Sequence, residues 1–215
     1  MQAHLNTTSG IKRERIAIVE SDKADEKGIT EHTLDSDRMI LVAPSMSEEA
    51  KGSMAAAVAG LISSLAVQTS PTNKTLTIKG LQTEFNSSKL EKLIGKRVLA
   101  VEKREGYRIV KGITTATNTA WHQITTRRIV DYAIYGVRAA CNPYIGKLNN
   151  ERVRSAMKAT IDSFLTRMVQ SEALVSYQLD VTATRAEEIA GRCMGTMQIA
   201  PTFSIDYIMV NMYLE

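Results

Sequence analysis

The sequence predicts an α/β fold, in the looser sense α+β. A mixed sheet flanked by helices comes first, followed by a smaller C-terminal domain of two helices and β-strands. Three observations carry this. Two short runs near the start, Arg15-Ile-Ala-Ile-Val-Glu20 and Arg38-Met-Ile-Leu-Val-Ala43, are apolar without polar alternation, the pattern of strands covered on both faces. Ser53–Ala66 is a helix-length stretch rich in Ala and Gly, suited to lie close against a sheet. From Thr125 the apolar residues recur with a helical period, and three strand-like runs follow.

Taken in order, Met1–Gly10 is polar and reads as a loose lead-in or a helix remnant. Residues 21–37 are charged, hold Gly28 and lack an apolar period; they read as a loop with at most a turn of helix. The second apolar strand is closed by Pro44. Ser45-x-x-Glu48 fits a capping box. In the helix over 53–66, Gly60 is expected to serve close packing. Ser70-Pro-Thr-Asn73 is a turn. Thr75–Lys79 alternates like an edge strand. Ser87–Ile94 is a short helix stopped by Gly95. Arg97–Val101 and Arg108–Lys111 form a hairpin through Arg104-Glu105-Gly106.

The next helix carries Ile129, Val130, Ala133, Ile134, Val137, Ala140 and Cys141 on one face and ends at Asn142-Pro143. Asn149 or Asn150 caps a long helix to about Gln170, with Val153, Met157, Thr160, Ile161, Phe164 and Met168 as its core face. Its opposite face, Ser155, Ala159, Asp162 and Thr166, is small and polar, a pattern that fits contact with another protein and a plain surface face equally. Leu174–Thr182, Met194–Ala200 and Ser204–Leu214 are strands, with a helical turn or loop over Arg185–Ala190. The expected division is 1–118 for the α/β core and 119–215 for the C-terminal domain.

Composition narrows the function. The chain has 215 residues, 44% apolar and 23% charged, with a net charge of +4, which is ordinary for a globular protein. Its pI near 9.0 suggests an acidic partner. Two cysteines and three histidines without ligand spacing exclude a disulfide scaffold and predict no metal site or cofactor. No run is long enough to span a bilayer and no signal segment opens the chain, so synthesis in a reducing cytoplasm is expected.

Three chemical readings compete. Ser45 with His32 and Asp35 could be assembled on paper into a hydrolase triad, but no Gly-x-Ser-x-Gly elbow supports it, and no catalytic residue is assigned. No phosphate loop is present. Trp121 and His122 read as a half-buried aromatic beside a satisfied imidazole. Lys96, Arg97, Lys103, Arg104, Arg108, Lys111, Arg127 and Arg128 cluster against only Glu102, Glu105 and Asp131. A basic nucleic-acid-binding module is the alternative function this raises, though stacking aromatics are scarce.

The last strand is the sharpest feature. Ile205, Tyr207, Met209 and Tyr213 point one way, and Ile208, Val210, Met212 and Leu214 the other. A terminal strand apolar on both faces must be covered and paired, and the chain offers few other strands for this. Either it is the centre of its own sheet or it completes a sheet in a neighbouring copy, and the scarcity of other strands favours exchange between copies.

Four stretches carry a family resemblance: Ala55-Ala-Ala-Val-Ala-Gly-Leu-Ile62 with Ser70-Pro-Thr-Asn-Lys74; Gly112-Ile-Thr-Thr115 with Trp121-His-Gln-Ile124; Arg127-Arg-Ile-Val-Asp-Tyr132; and Pro201–Leu214. In their order and spacing the chain resembles the C-terminal half of contractile tail sheath proteins, from myophages and phage-tail-like particles, over residues 11–214. The resemblance implies a non-enzymatic structural protein of a virion tail or phage-tail-like particle, made in the bacterial cytoplasm. Such subunits polymerise as stacked hexameric rings around an inner tail tube and contract to drive it through an envelope. It also implies strand exchange through Ser204–Leu214, and baseplate and tail terminator as further partners, with neither nucleic acid nor membrane insertion. Arg152, Arg154, Lys158 and Arg167 become the tube-facing candidates. The chain departs from the family in being short at its N-terminal end, which puts an N-terminal exchange arm in doubt.

Overall fold

The structure is a computed structural model that describes residues 1–213. It holds two compact units. The first is Met1–Arg127 together with the C-terminal residues from Phe203, and the second is Arg128–Thr202. The expected boundary at 118/119 therefore lies inside the first unit, and the C-terminal segment belongs to that unit as well.

In the first unit, five strands are ordered β1-β2-β4-β5-β3. They are β1 (Ala17–Glu20), β2 (Met39–Ala43), β3 (Thr75–Leu76), β4 (Val98–Lys103) and β5 (Tyr107–Ile109). β1, β2 and β4 are parallel, while β5 runs antiparallel to β4 and to β3, so the sheet is mixed as expected. The helices are α1 (Gln2–Gly10), α2 (Glu26–Thr30), α3 (Met54–Ser64) and α4 (Ser87–Gly95).

The absence of alternation in β2 now has its cause. Ile40 and Val42 pack with α3, whereas Leu41 and Ala43 pack with Ile29 of α2 and Leu90 and Leu93 of α4. β4 divides likewise into Leu99 and Val101 on one face and Val98 and Ala100 on the other. Each of the larger side chains contributes roughly 2 kcal/mol by leaving water, the alanines less. β1, at the sheet edge, is only half-buried.

Several local expectations change. Residues 2–10 are helical, with Leu5 and Thr8 buried. Part of the charged stretch 21–37 forms α2, because the Asp25 carboxylate accepts from the Gly28 N–H and Ile29 supplies an apolar anchor. α3 is capped by Ser53 but packs through Met54, Val58 and Ile62; Gly60 is exposed with open space around it, so it serves no close packing. The capping box at Ser45 does not form, since its hydroxyl donates to the Ser21 carbonyl at 3.1 Å. The α4 stop lies beyond Gly95, at left-handed Arg97 (φ 62°). That conformation costs about 1 kcal/mol for an L-residue. It is offset by the Arg97 side chain, whose Nε donates to the Thr115 carbonyl at 2.8 Å.

The β4–β5 hairpin turns through Glu105 and Gly106, both left-handed (φ 49° and 101°), which explains the glycine. The predicted edge strand 75–79 shrinks to two residues, Thr75–Leu76.

α5 (Ile124–Cys141) carries the boundary between the units, and the second unit continues with α6 (Glu151–Gln170), β6 (Leu174–Thr182), α7 (Arg185–Ile189) and β7 (Met194–Pro201). Asn150 caps α6 through its side-chain oxygen. The buried α6 residues are Ile161, Leu165 and Met168. Thr160 is instead exposed and donates to the Ala156 carbonyl, a hydroxyl satisfied within its own helix. Ile129 and Ala133 of α5 and Leu174 and Val181 of β6 complete this core.

Gly136 is where α5 meets α6: an added Cβ would sit 2.0 Å from Phe164 Cζ. The Phe164 ring in turn rests on Tyr132, centroids 5.7 Å apart. Gly136→Ala gains about 1 kcal/mol of helix propensity but overpacks the contact by roughly 1–3 kcal/mol. We expect a lower thermal midpoint for Gly136→Ala, and recovery in the Gly136→Ala/Phe164→Leu double variant. A raised midpoint in the single variant would show the ring contact to be unimportant.

Candidate functional site

Within the first unit, chain segments far apart in sequence meet at the root of the C-terminal segment. The Gln123 amide acts as a two-way bridge: its Oε1 accepts from the Ser204 N–H at 2.9 Å and its Nε2 donates to the Ser204 carbonyl at 3.0 Å. This copies the exchange a neighbouring strand would make. The Asp206 carboxylate accepts from Gln123 Nε2 at 2.9 Å and from Thr72 Oγ1 at 3.2 Å. Lys111 Nζ lies 3.5 Å from Asp206, with only 15% and 10% of the two side chains exposed, and 4.8 Å from the Tyr207 ring centroid.

The scaffold under this clamp is tight. Thr72 Oγ1 accepts from the Gly112 N–H at 3.0 Å. Gly112 must lack a side chain, because a Cβ there would lie 2.6 Å from Pro71 Cγ. The neighbouring Thr115 is fully buried and exchanges two hydrogen bonds, each 3.1 Å, with the backbone of Ser36. Thr114 donates to the Trp121 carbonyl at 2.9 Å. The stretches 70–74, 112–115 and 121–124 thus surround one anchor with Ser204, Asp206 and Tyr207.

Beyond the clamp the segment is bare. Ile208 is 82% exposed, Met209 90%, Val210 74%, Met212 88% and Tyr213 88%, and Ile205 and Tyr207 are also exposed. No strand forms here, which corrects the expectation of a strand over 204–214, and Leu214 lies outside the described residues. The physical reason is direct: a strand needs a partner for its N–H and C=O groups, and within the described residues this one has none. A contiguous apolar run of this size in water marks an interaction site.

The second unit offers a complementary feature. β6 and β7 form a two-stranded antiparallel ribbon, so each strand has one unpaired edge among the described residues. One face of the ribbon is tied to the unit's core through Tyr177, Leu179, Met197 and Ile199. Tyr177 Oη also donates to Asp162 Oδ1 at 2.6 Å and lies 2.9 Å from Thr166 Oγ1. Part of the small polar face of α6 is thereby occupied by the chain's own ribbon.

The four cationic candidates on α6 separate. Arg154 is largely buried; its guanidinium pairs with Glu188 at 2.9 Å and donates to the Asn149 side-chain oxygen at 2.9 Å. Lys158 pairs with Asp180 at 3.2 Å. Arg152 and Arg167 are exposed.

The basic cluster of residues 96–128 also disperses. Lys103 pairs with Glu84, Arg104 with Glu102, Lys111 with Asp206 and Arg127 with Asp37. Arg127 also stacks over Trp121 at 4.4 Å. Three of these four carboxylates lie outside the sequence window that made the cluster look uncompensated.

The residues assembled on paper as a hydrolase triad are each committed elsewhere. Ser45 holds Ser21, and Asp35 accepts from the Thr117 N–H and hydroxyl at 2.9 and 2.8 Å. His32 Nδ1 accepts from the Leu34 N–H, which leaves Nε2 as the N–H donor to the Lys96 carbonyl at 2.6 Å. Among the described residues, no three His, Cys, Asp or Glu side chains gather as a metal site would need, and no helix is long and apolar enough to cross a membrane.

His32 and His122 give a pH prediction. Burial holds both imidazoles below their ordinary value, only partly opposed by hydrogen bonds to the Lys96 and Ala116 backbones. The unfolded chain therefore binds protons first as pH falls through about 6.5, so stability present above that value declines below it. Asp35, held low by its Thr117 hydrogen bonds, loses its contribution only further down, below about 4. We expect a flat thermal midpoint above neutrality and a decline beginning near pH 6.5, reduced in His32→Gln. A midpoint unchanged down to about pH 5 would contradict this.

The fold defined by these elements is that of the sheath proteins of contractile tails. Residues 116–215 match the family model of the phage tail sheath C-terminal domain. Among solved structures, the chain superposes on a chain of the anti-feeding prophage baseplate with a TM-score of 0.83 at 16% identity, covering 98% of this chain and 63% of that one. For the anti-feeding prophage helical sheath in its contracted state the values are 0.80, 16%, 98% and 64%. For the contracted sheath complex of PVC, an extracellular contractile injection system, they are 0.80, 16%, 97% and 68%. The chain thus spans somewhat less than two thirds of the first two chains it matches. Among curated protein sequences none matches it. The resemblance read from the sequence stands, in sequence for the C-terminal domain and in fold for nearly the whole chain.

Proposed function

We propose that this protein is a structural subunit of a contractile sheath, one that polymerises helically and contracts to drive an inner tube through an envelope. The observation that carries the reading is the exposed apolar segment from Ile208 to Tyr213, rooted by the Gln123–Asp206–Lys111 clamp and without a strand partner among the described residues. A second copy supplies what it lacks: the open edges of a β6–β7 ribbon, onto which it adds as a strand. Exchange of this kind keeps subunits connected while they move, because the clamp holds the root and the segment holds the neighbour. The structural likeness to contracted sheath assemblies supports this reading.

Self-assembly and association with a baseplate are the partners favoured first; an inner tube and a tail terminator follow from the same role. The role requires no catalysis, and the internal pairing of the basic cluster disfavours nucleic acid. A phage-tail-like particle assembled in a bacterial cytoplasm is the setting this role fits. Purified protein, alone and mixed with the tube protein co-expressed with it, should give rings or tubes by electron microscopy. A persistent monomer in both samples would overturn the proposal.

For the tube contact, Arg152 and Arg167 are preferred to Arg154 and Lys158, whose charges are answered within the unit. Arg152→Glu with Arg167→Glu should leave the fold intact and weaken salt-sensitive co-sedimentation with the tube roughly tenfold or more. Arg154→Glu should instead lower the thermal midpoint, because it sets two carboxylates face to face at Glu188. Undiminished co-sedimentation of the double variant would remove these residues from the tube surface.

A further inference from the structure

The chain's two cysteines are far apart in sequence, Cys141 at the end of α5 and Cys193 immediately before β7. Folding of the second unit sets both on the wall of one cavity of about 620 Å3, whose apolar lining includes Met157, Ile161 and Leu179. Both thiols are free. Cys141 packs beside the core of this unit, while Cys193 is exposed and reaches only the Thr182 carbonyl, at 3.5 Å. Burial pushes the Cys141 thiol up, and Cys193 adds to that rise; burial also raises the Cys193 thiol, partly opposed by Arg154.

We propose that Cys141 and Cys193 are a disulfide-forming pair, closed by a small disulfide oxidant and tying the end of α5 to the start of β7 across this cavity. The exposed Cys193 reacts first: its thiolate attacks one sulfur of the oxidant RSSR and releases RSH, leaving a mixed disulfide. The Cys141 thiolate then attacks the Cys193 sulfur and releases the second RSH. Two thiol hydrogens and two electrons pass to the oxidant, one S–S bond breaks and one forms. The open cavity gives the mixed disulfide room without displacing the core. Closure also needs the two Cβ atoms about 3.5–4.5 Å apart. Gly146 (φ 83°) and Gly191 (φ 66°) are left-handed turn positions in the segments that follow Cys141 and precede Cys193. The pair stays reduced in a thiol-rich cytoplasm and closes once the protein meets oxidising surroundings.

The test uses the full folded chain with excess oxidised glutathione, followed by acid quench, denaturation, alkylation with N-ethylmaleimide and mass spectrometry. Expected are a mass loss of about 2 Da, no added alkyl group, and a tryptic peptide over residues 139–147 joined to the one that begins at Cys193. Cys141→Ser should stop at a glutathione adduct on Cys193. Two alkylated thiols, adducts at both cysteines or only intermolecular cross-links would overturn the proposal. So would closure as fast in concentrated guanidinium as in the folded protein, since the fold would then not be placing the pair.

Discussion

A chain truncated after Tyr207 is expected to fold as before and to lose ordered polymers altogether. The truncation keeps Ser204 and Asp206, and with them the bonds to Gln123, Thr72 and Lys111 that close the first unit. It removes Ile208–Tyr213, whose apolar side chains contribute nothing to the chain's own core because they are almost wholly exposed. The thermal midpoint and circular dichroism should therefore be unchanged, and solubility should rise. Between copies the loss is large. Burying even half of a five-side-chain apolar run is worth several kcal/mol per contact at about 25 cal/mol per Å2, and a lattice multiplies it at every subunit. Tubes that still form from the truncated chain would refute strand exchange by this segment. Because the fold is predicted to survive, that outcome cannot be confused with misfolding.

Replacing Asp206 with alanine should have the opposite signature, with damage to the subunit as well as to the lattice. The carboxylate holds three partners in a largely buried setting, and its removal strands the Lys111 ammonium beside the Tyr207 ring. Breaking one side of a buried ion pair costs about 3 kcal/mol. We expect a clearly lower thermal midpoint, faster amide exchange at Ser204, and polymers that are sparse or irregular even where the variant stays folded. Asp206→Asn retains acceptor capacity through one oxygen and should fall between the two. If Asp206→Ala matched the parent in midpoint and in tube order, the clamp would carry no load.

The two variants separate the parts of the site that the sequence shows from those it hides. The apolar run 205–214 is legible in the sequence, because its alternation leaves no polar face and the chain offers few other strands to cover it. The clamp is not. Ser204 precedes that run and Asp206 interrupts it, and these polar residues are the local sign of an anchor. Their partners Gln123, Lys111 and Thr72 come from three separate stretches. The basic cluster misled for the same reason: Asp37, Glu84 and Asp206 approach through space from outside the window. On α3, composition suggested a close-packed small-residue face, but the burial went to Met54, Val58 and Ile62, where more apolar area could be removed from water.

The sequence by itself determined the elements that depend on local chemistry: the cap at Asn150, the Glu105-Gly106 turn, the two-sided burial of β2 and the bounds of β6. Periodicity, capping and turn preferences act over a few residues and are written along the chain. Only the tertiary structure decided what the C-terminal residues do. The sequence called for a strand there. The fold anchors the root at Gln123, provides no neighbouring edge within the described residues, and leaves the apolar stretch in water, because a strand's stability lies in a partner that local sequence cannot specify.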